Sequence, residues 1–182
     1  MTEEFIFKLV LIGDKMVGKT SLINRFVHDS FQGRYMGTIG LNVSTKDLKM
    51  DFKGKTYDIH LLIYDLASEE TFEDLFGPFS RGANGAIFVF DITRENTFDS
   101  IDDWVSRLNK LTNSILNSTS ILIGNKSDLN DFREVEKAEG EEKCKSLTMI
   151  GYEEVSAKNS TFVDEAFTMV TKKILEVNLS DN

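Results

Sequence analysis

One glycine-containing segment constrains the fold of this chain more than any other feature. It runs Gly13-Asp14-Lys15-Met16-Val17-Gly18-Lys19-Thr20, directly after an apolar stretch at residues 5–12. The two glycines allow a tight turn that aims backbone N–H groups at phosphate oxygens, and Lys19 adds a positive charge. The Thr20 hydroxyl is a hard ligand suited to Mg²⁺. Because a helical pattern follows, we predict a phosphate-binding loop between a strand and a helix, rather than a chance glycine turn.

Short apolar runs recur along the chain and predict the strands of a sheet. They lie at residues 5–12, 59–64, 86–92, 121–123 and, more weakly, 149–155. Helix-length segments separate most of them, which is typical of a parallel sheet with crossover helices. Residues 41–51 and 56–64 are instead joined by the short turn Phe52-Lys53-Gly54-Lys55. This turn predicts a hairpin, and therefore one antiparallel strand at the edge of the sheet.

Two apolar stripes at helical spacing predict helices that cover the sheet. The first stripe is Ile101, Trp104, Val105, Leu108 and Leu111. The second is Phe162, Ala166, Phe167, Val170, Ile174 and Leu175. We interpret both as core packing, since each helix must bury one face. The charged run at residues 134–145 is interpreted as the solvated face of another helix.

Composition sets the class of protein. The chain has 182 residues, 41% apolar and 28% charged, which suits one globular domain. Its net charge of −9 argues against a broad nucleic-acid or anionic-membrane surface. The single cysteine, Cys144, excludes an internal disulfide and favours a reducing, cytoplasmic setting. We expect Cys144 to be structural, because neither histidine is close to it in sequence.

The sequence also predicts no intrinsic membrane anchor. No apolar run approaches the length of a membrane span. Residues 1–4 lack a signal-peptide charge pattern and a glycine for myristoylation, and residues 178–182 contain no cysteine for prenylation.

A second motif bears on the base of a nucleotide. Asn125-Lys126-Ser127-Asp128 follows an apolar strand about a hundred residues after the phosphate loop. A carboxylate there can accept hydrogen bonds from the ring N–H and exocyclic amine of guanine, which adenine cannot donate. Alone, the motif would be interpreted as a polar turn, but its position favours guanine recognition. Further on, Ser156-Ala157-Lys158 follows the last predicted strand, where small residues let backbone N–H groups approach a base oxygen.

Two segments match no regular structure. They are Ser30 to Gly40, with three glycines in eleven residues, and Asp65 to Asn84, which holds the only proline. Both lie at the predicted strand ends where open α/β folds bind ligands, and long irregular segments tend to be functional.

Taken together, these motifs resemble the small GTPases of the Ras superfamily, and most closely the Rab branch. The segments that are typical of Rab proteins are Thr38-Ile39-Gly40, the run from Arg81 to Ala86, Phe90-Asp91-Ile92-Thr93 and Glu165-Ala166-Phe167. The resemblance covers residues 5–177. It implies an α/β P-loop GTPase fold, with a six-stranded, mostly parallel sheet, one antiparallel edge strand and five helices. It also implies a single GTP-binding domain over residues 1–182, a monomer that switches between GTP and GDP with Mg²⁺ bound.

The resemblance assigns roles position by position. Lys19 is expected at the β- and γ-phosphates. The implied metal contacts are Thr20, Thr38 and, through water, Asp65. Asn125 and Asp128 are expected to recognise guanine, with Phe31 leaning on it and Lys126 and Lys158 along its plane. The full implied nucleotide-binding set is Gly13, Asp14, Lys15, Met16, Val17, Gly18, Lys19, Thr20, Ser21, Phe31, Tyr35, Thr38, Asn125, Lys126, Asp128, Ser156, Ala157 and Lys158.

By the same resemblance, the two irregular segments become the two switches. Ser30 to Gly40 is the first and Asp65 to Ser80 the second, ordered by the γ-phosphate and released after hydrolysis. Effectors, an exchange factor and a GTPase-activating protein would contact the chain through them.

Three departures from the family pattern concern the catalytic step. The second-switch pattern Asp-x-x-Gly-Gln is here Asp65-Leu66-Ala67-Ser68-Glu69, and Lys15 stands where many relatives have glycine beside the γ-phosphate. Glu69 replaces the glutamine that orients the attacking water, and an ionised carboxylate accepts hydrogen bonds but donates none. Ser68 is less free in backbone conformation than the glycine it replaces. With Lys19, these three are the candidate catalytic residues.

The departures admit several hypotheses. Lys15 could obstruct an incoming arginine finger or supply part of its charge, and a Lys15–Glu69 ion pair would account for both changes. We expect slow intrinsic hydrolysis, since losing a water-orienting group typically costs about 10²-fold in rate. The alternatives are neutral substitution with normal turnover, a competent GTPase that uses Glu69, Lys15 or a partner, and an interaction module that no longer binds nucleotide.

Overall fold

The computed structural model describes residues 3–31, 40–66, 80–112 and 117–180. Within them the strands are β1 (Glu3–Ile12), β2 (Leu41–Phe52), β3 (Lys55–Leu66), β4 (Gly85–Asp91), β5 (Ser120–Asn125) and β6 (Gly151–Val155). The α-helices are α1 (Lys19–His28), α2 (Glu95–Asp99), α3 (Ile101–Thr112), α4 (Lys137–Ser146) and α5 (Val163–Ser180). Two 3-10 turns occupy Asn117–Thr119 and Ser127–Phe132. No helix in this described part is both long and apolar enough to cross a membrane.

The six strands form one sheet in the order β2-β3-β1-β4-β5-β6. Every neighbouring pair is parallel except β2 and β3, which are antiparallel, with β2 at the edge. Their connection is a two-residue turn in which Lys53 and Gly54 both have positive φ, at 48° and 78°. Such turns match the twist of the flanking strands. The predicted sheet, its hairpin and its antiparallel edge strand are therefore confirmed.

Helices cover both faces of the sheet, so the central strands are apolar on both sides. Helices α1 and α5 lie on one face, where Phe26 stacks on Phe167 with 4.1 Å between ring centroids. Helices α2, α3 and α4 lie on the other, with Trp104, Leu108 and Cys144 in its core. Burial raises the pKa of the Cys144 thiol, as expected for a structural cysteine.

Three boundaries differ from the sequence prediction. Asp65 is not the start of an irregular segment, because β3 continues to Leu66 and pairs there with Leu41 of β2. Helix α4 begins at Lys137, after a capping box between Glu136 and Glu139, and not at residue 134. Phe162 is not part of the buried stripe: it precedes α5, has φ 52° and is 53% exposed.

The strand register brings the motif-bearing strand ends together. Leu11 of β1 lies opposite Asp65 of β3, while Asn125 of β5 lies opposite Asp91 of β4 and Val155 of β6. Because these strands are parallel, the segments that follow β1, β4, β5 and β6 all emerge at one edge of the sheet. The candidate site is built at this edge.

Candidate functional site

The phosphate loop, residues 13–20, has a backbone that requires glycine at two positions. Gly13 has φ 147°, and a Cβ there would lie 2.1 Å from the Val89 carbonyl oxygen. Gly18 has φ 99°, and a Cβ there would lie 2.3 Å from Asn125 Nδ2. Met16 also has a positive φ of 66° and is 55% exposed. A left-handed backbone at a non-glycine residue is unfavourable, so the loop holds local strain at Met16.

Lys19 places its ammonium over the loop. Its Nζ donates hydrogen bonds to the carbonyl oxygens of Gly13 at 2.7 Å and Asp14 at 2.9 Å, and the side chain is buried. The positive charge is therefore fixed beside the backbone that is expected to surround phosphate oxygens.

Two hard oxygen ligands meet where α1 begins and β3 ends. The Thr20 hydroxyl donates a 2.5 Å hydrogen bond to Asp65 Oδ2, and Asp65 is 1% exposed. A hydroxyl and a carboxylate are ligands that Mg²⁺ favours, so this donor set fits the metal. Among the described residues, no group of three or more His, Cys, Asp or Glu side chains is arranged so that it could hold a metal ion. Such a cluster is not needed where hydroxyls and phosphates supply the other ligands.

Asp14 binds the Lys19 ammonium through its backbone carbonyl and anchors the phosphate loop through its side chain. Its Oδ1 accepts a 2.6 Å hydrogen bond from Trp104 Nε1, and its Oδ2 accepts one of 3.0 Å from Ser100 Oγ. The carboxylate therefore faces α3. The interpretation of Trp104 as packing alone is therefore incomplete, since helical spacing predicts the buried face of a helix and not the direction of an indole N–H.

Asp91, at the end of β4, organises the centre of the site and was missed by sequence reasoning. Its buried carboxylate receives Lys126 Nζ at 2.6 Å, Arg94 Nε at 3.0 Å and Thr93 Oγ1 at 2.7 Å. Burial opposes its ionisation, but the bonds from Lys126 and Thr93 outweigh this and lower the pKa of Asp91. Arg94 also donates to the Lys15 carbonyl at 3.1 Å, so Asp91 ties the phosphate loop to Lys126.

Asn125 joins the phosphate loop to the base loop, which we define as Ser156-Ala157-Lys158. Its Nδ2 donates to the Val17 carbonyl at 2.8 Å, and its Oδ1 accepts from Ala157 N at 3.3 Å. Asn125 is 2% exposed. Both ends of its amide are thus engaged in holding the two loops at a fixed separation.

Asp128 lies beside the base loop. Its Oδ1 accepts a 2.6 Å hydrogen bond from Ser156 Oγ, and Lys158 Nζ lies 3.7 Å from its Oδ2. The Asp128 side chain is 10% exposed and that of Lys158 is 60% exposed. The carboxylate suited to guanine is therefore oriented by the loop expected to contact the base oxygen.

The remaining predicted residues divide into two groups. Phe31 and Lys15 are exposed, Ser21 is half-buried on α1 and Val17 is buried. Tyr35, Thr38, Ser68 and Glu69 lie outside the described residues, so their roles and the Lys15–Glu69 pair stay hypotheses.

Comparison with known proteins agrees with this geometry. The model of the Ras family matches residues 8–176. The chain is 42% identical to the Ras-related protein RABA5a of Arabidopsis thaliana over 176 residues, which are 97% of this chain and 76% of that protein. It is 38% identical over 174 residues to the Ras-related protein Rab-8B of Pongo abelii, covering 96% of this chain and 81% of that protein. It is 39% identical over 172 residues to the Ras-related protein Rab-13 of Canis lupus familiaris, covering 94% and 81%.

The geometry of the site and the family match lead to the same conclusion. The site combines a glycine loop and its fixed lysine with a carboxylate beside the base loop, and the family match covers nearly the whole chain. The chain belongs to the Ras family as a Rab-related small GTPase, a guanine-nucleotide-binding switch that hydrolyses GTP.

Proposed function

We propose that this GTPase holds its nucleotide together with Mg²⁺ and hydrolyses GTP slowly. The proposed metal site rests on the 2.5 Å hydrogen bond between the Thr20 hydroxyl and Asp65 Oδ2. Thr20, Thr38 and, through water, Asp65 would hold the ion. When bound, Mg²⁺ would neutralise part of the charge on the β- and γ-phosphates. Lys19, fixed by two loop carbonyls, adds a second positive charge at the same place.

Slow hydrolysis follows from the residues at the second switch. Glu69 stands where the family has a glutamine, and Ser68 where it has a glycine. An ionised glutamate cannot donate a hydrogen bond and is repelled by a triphosphate. Water would therefore be oriented poorly for attack, with an expected loss of about 10²-fold in rate.

Lys15 is the residue that supports a second candidate, a GTPase competent through its own cation or through a partner. Its backbone is held by Arg94, and its side chain is exposed and forms no ion pair with any described residue. An ammonium at this point of the loop could supply charge to the transition state, or it could pair with Glu69 and obstruct a partner's arginine.

Single-turnover hydrolysis of loaded GTP tests the slow switch. Purified protein is loaded with GTP and Mg²⁺, and the nucleotide is identified after denaturation at successive times. We expect GTP to persist for hours in the wild type. The double variant Ser68→Gly, Glu69→Gln should hydrolyse faster by on the order of 10²-fold. Wild-type turnover as fast as ordinary relatives would reject slow hydrolysis.

Two further variants separate the candidates. Lys15→Gly should leave the rate unchanged or raise it if Lys15 obstructs, and should lower it if Lys15 supplies catalytic charge. A double-mutant cycle of Lys15 and Glu69, measured as the GTP dissociation rate, should be non-additive if the two form an ion pair. Glu176→Gln, on α5 with its side chain 40% exposed, serves as the matched control for a removed carboxylate.

The partners and setting are part of the proposal. Effectors, an exchange factor and a GTPase-activating protein would contact Ser30 to Gly40 and Asp65 to Ser80. Residues 1–182 would act as a single, monomeric GTP-binding domain in the cytoplasm. The net charge of −9 supports protein partners over nucleic acid.

A further inference from the structure

Arg25 of α1 makes a set of contacts that the recognition of nucleotide, as described above, does not include. Its side chain is largely buried, at 14% exposure. Nε donates to the Ala157 carbonyl at 2.9 Å, and Nη2 donates to the Lys158 carbonyl at 3.1 Å. Two nitrogens of one rigid fork therefore hold two successive carbonyls of the base loop.

The third nitrogen of the same group holds the end of α1. Nη1 donates to the Asp29 carboxylate at 2.9 Å and to the Asp29 carbonyl at 3.2 Å. Asp29 ends the helix with a left-handed backbone, φ 48°. It stands directly before Ser30, where the first switch is proposed to begin.

These contacts close a ring around the nucleotide-binding edge. The phosphate loop continues into α1, and Arg25 on α1 binds Ala157. Ala157 N donates to Asn125, and Asn125 donates to Val17 back in the phosphate loop. The base loop is thus fixed relative to the phosphate loop from two sides, by Asn125 at its amide and by Arg25 at its carbonyls.

We propose that Arg25 is a positioning residue for the guanine base and sets the rate at which the nucleotide leaves. The proposal rests on the proposed nucleotide site, since it assigns the base loop to guanine. Asp128 is oriented by Ser156 Oγ in that loop. When the loop shifts, Asp128 loses its alignment with the exocyclic amine of guanine, and both residence time and base discrimination fall.

An arginine is suited to this role and a lysine is not. The planar fork can bond two carbonyls and a carboxylate at once, whereas an ammonium is a point charge on a flexible four-carbon stem. Arg25→Lys should therefore keep the charge and the packing of the stem but hold the base loop incompletely. The rate at which Arg25→Lys releases GDP should lie between those of the wild type and Arg25→Ala.

The test uses the full chain and two diphosphates, GDP and IDP, which differ by the exocyclic amine. Dissociation of fluorescently labelled GDP is followed after adding excess unlabelled GDP. We expect Arg25→Ala to release GDP on the order of tenfold faster, which corresponds to about 1.4 kcal/mol, the net worth of about one hydrogen bond, because Arg25 acts on the nucleotide only through the base loop. The preference for GDP over IDP should narrow in the same variant, and Arg25→Lys should partly restore both.

The matched control is Asp29→Asn, which removes the exposed ion pair, keeps a residue that tolerates the left-handed backbone and leaves the bonds to Ala157 and Lys158. It should release GDP within about twofold of wild type, since exposed ion pairs contribute little. Circular dichroism melting of each GDP-loaded variant reports folding. If Arg25→Ala does not fold, Arg25→Lys carries the comparison.

The outcomes are separable. A folded Arg25→Ala or Arg25→Lys with wild-type GDP release and wild-type preference over IDP overturns the positioning role. Lower melting temperature with an unchanged GDP-to-IDP preference makes Arg25 a structural residue only, which also overturns it. A wild type that retains no guanine nucleotide overturns the proposed site itself, and this is seen before any variant is compared.

Discussion

The indole Nε1 of Trp104 donates a 2.6 Å hydrogen bond to Oδ1 of Asp14, across 90 positions of sequence. Both groups are buried, at 4% and 9% exposure. Ser100 occupies the other carboxylate oxygen. The first turn of α3 therefore holds the phosphate loop from the side opposite α1, and the loop depends on a residue that also belongs to the core.

Trp104→Phe should loosen the phosphate loop while an aromatic ring stays in the core. The substitution removes the N–H donor and leaves a buried carboxylate short of one partner, which typically costs about 2 kcal/mol. Urea unfolding should show that loss, and labelled GDP should dissociate several-fold faster. A double-mutant cycle with Asp14→Ala should be non-additive, because the two changes remove the same bond. Additive losses would show that the effect is one of packing alone.

Gly18→Ala should abolish tight nucleotide binding. The added Cβ would lie 2.3 Å from Asn125 Nδ2 at a residue with φ 99°. Displacing Asn125 breaks its bond to Val17 and separates the two loops. Strain and overpacking together cost about 3 kcal/mol, or about a hundredfold in GDP affinity. Calorimetric titration with GDP measures it.

Gly54→Ala is the control for that change. Gly54 also has a positive φ, 78°, but a Cβ there meets nothing within 4 Å. It should cost about 1 kcal/mol of stability through backbone strain, with GDP affinity unchanged. Equal losses of GDP affinity in both variants would remove the steric explanation for Gly18.

Much of the fold was predictable because it depends on short-range patterns. Apolar runs predicted the parallel strands, and Phe52-Lys53-Gly54-Lys55 predicted the hairpin that Lys53 and Gly54 form. The glycine loop and Asn125 to Asp128 could be placed at one sheet edge, since parallel strands end together.

The contacts that hold the site were not predictable in the same way. Arg25 to Ala157, Asp91 to Lys126 and Trp104 to Asp14 join residues 132, 35 and 90 positions apart. Their pairing depends on how helices cross the sheet, which periodicity does not specify. Phe162 shows a different kind of error. The apolar spacing of α5 extends one residue before the helix begins at Val163, so it wrongly predicts that Phe162 is buried.

Phe162→Asn should stabilise the protein. Phe162 is 53% exposed with φ 52°, and its carbonyl accepts the Ala166 N–H at 3.2 Å at the start of α5. Asparagine adopts the left-handed region more readily than phenylalanine. The free energy of unfolding in urea should rise by about 1 kcal/mol, with GDP affinity unchanged.

Phe132→Asn is the matched control, because Phe132 is 72% exposed but is not among the described residues with positive φ. Phe132→Asn should give no comparable rise in the free energy of unfolding. A similar gain in both variants would attribute the effect to removing an exposed aromatic ring, and not to relieving backbone strain.

Glu154 should contribute stability that depends on pH. Burial opposes its ionisation, but hydrogen bonds from Arg133 and Tyr152 outweigh this and lower the pKa of Glu154. Arg133 binds both its oxygens at 2.7 Å, and the two side chains are 13% and 15% exposed. A lowered folded-state pKa gives stability that is present above the unfolded value, near 4.5, and lost as pH falls through the folded value.

Glu154→Gln should therefore cost about 3 kcal/mol at pH 7, and the difference from wild type in urea unfolding should shrink below pH 4.5. Glu176→Gln, which breaks the exposed pair with Lys173, should change little at either pH. A loss in Glu154→Gln that stays constant with pH would show that the carboxylate acts through its shape and not its charge.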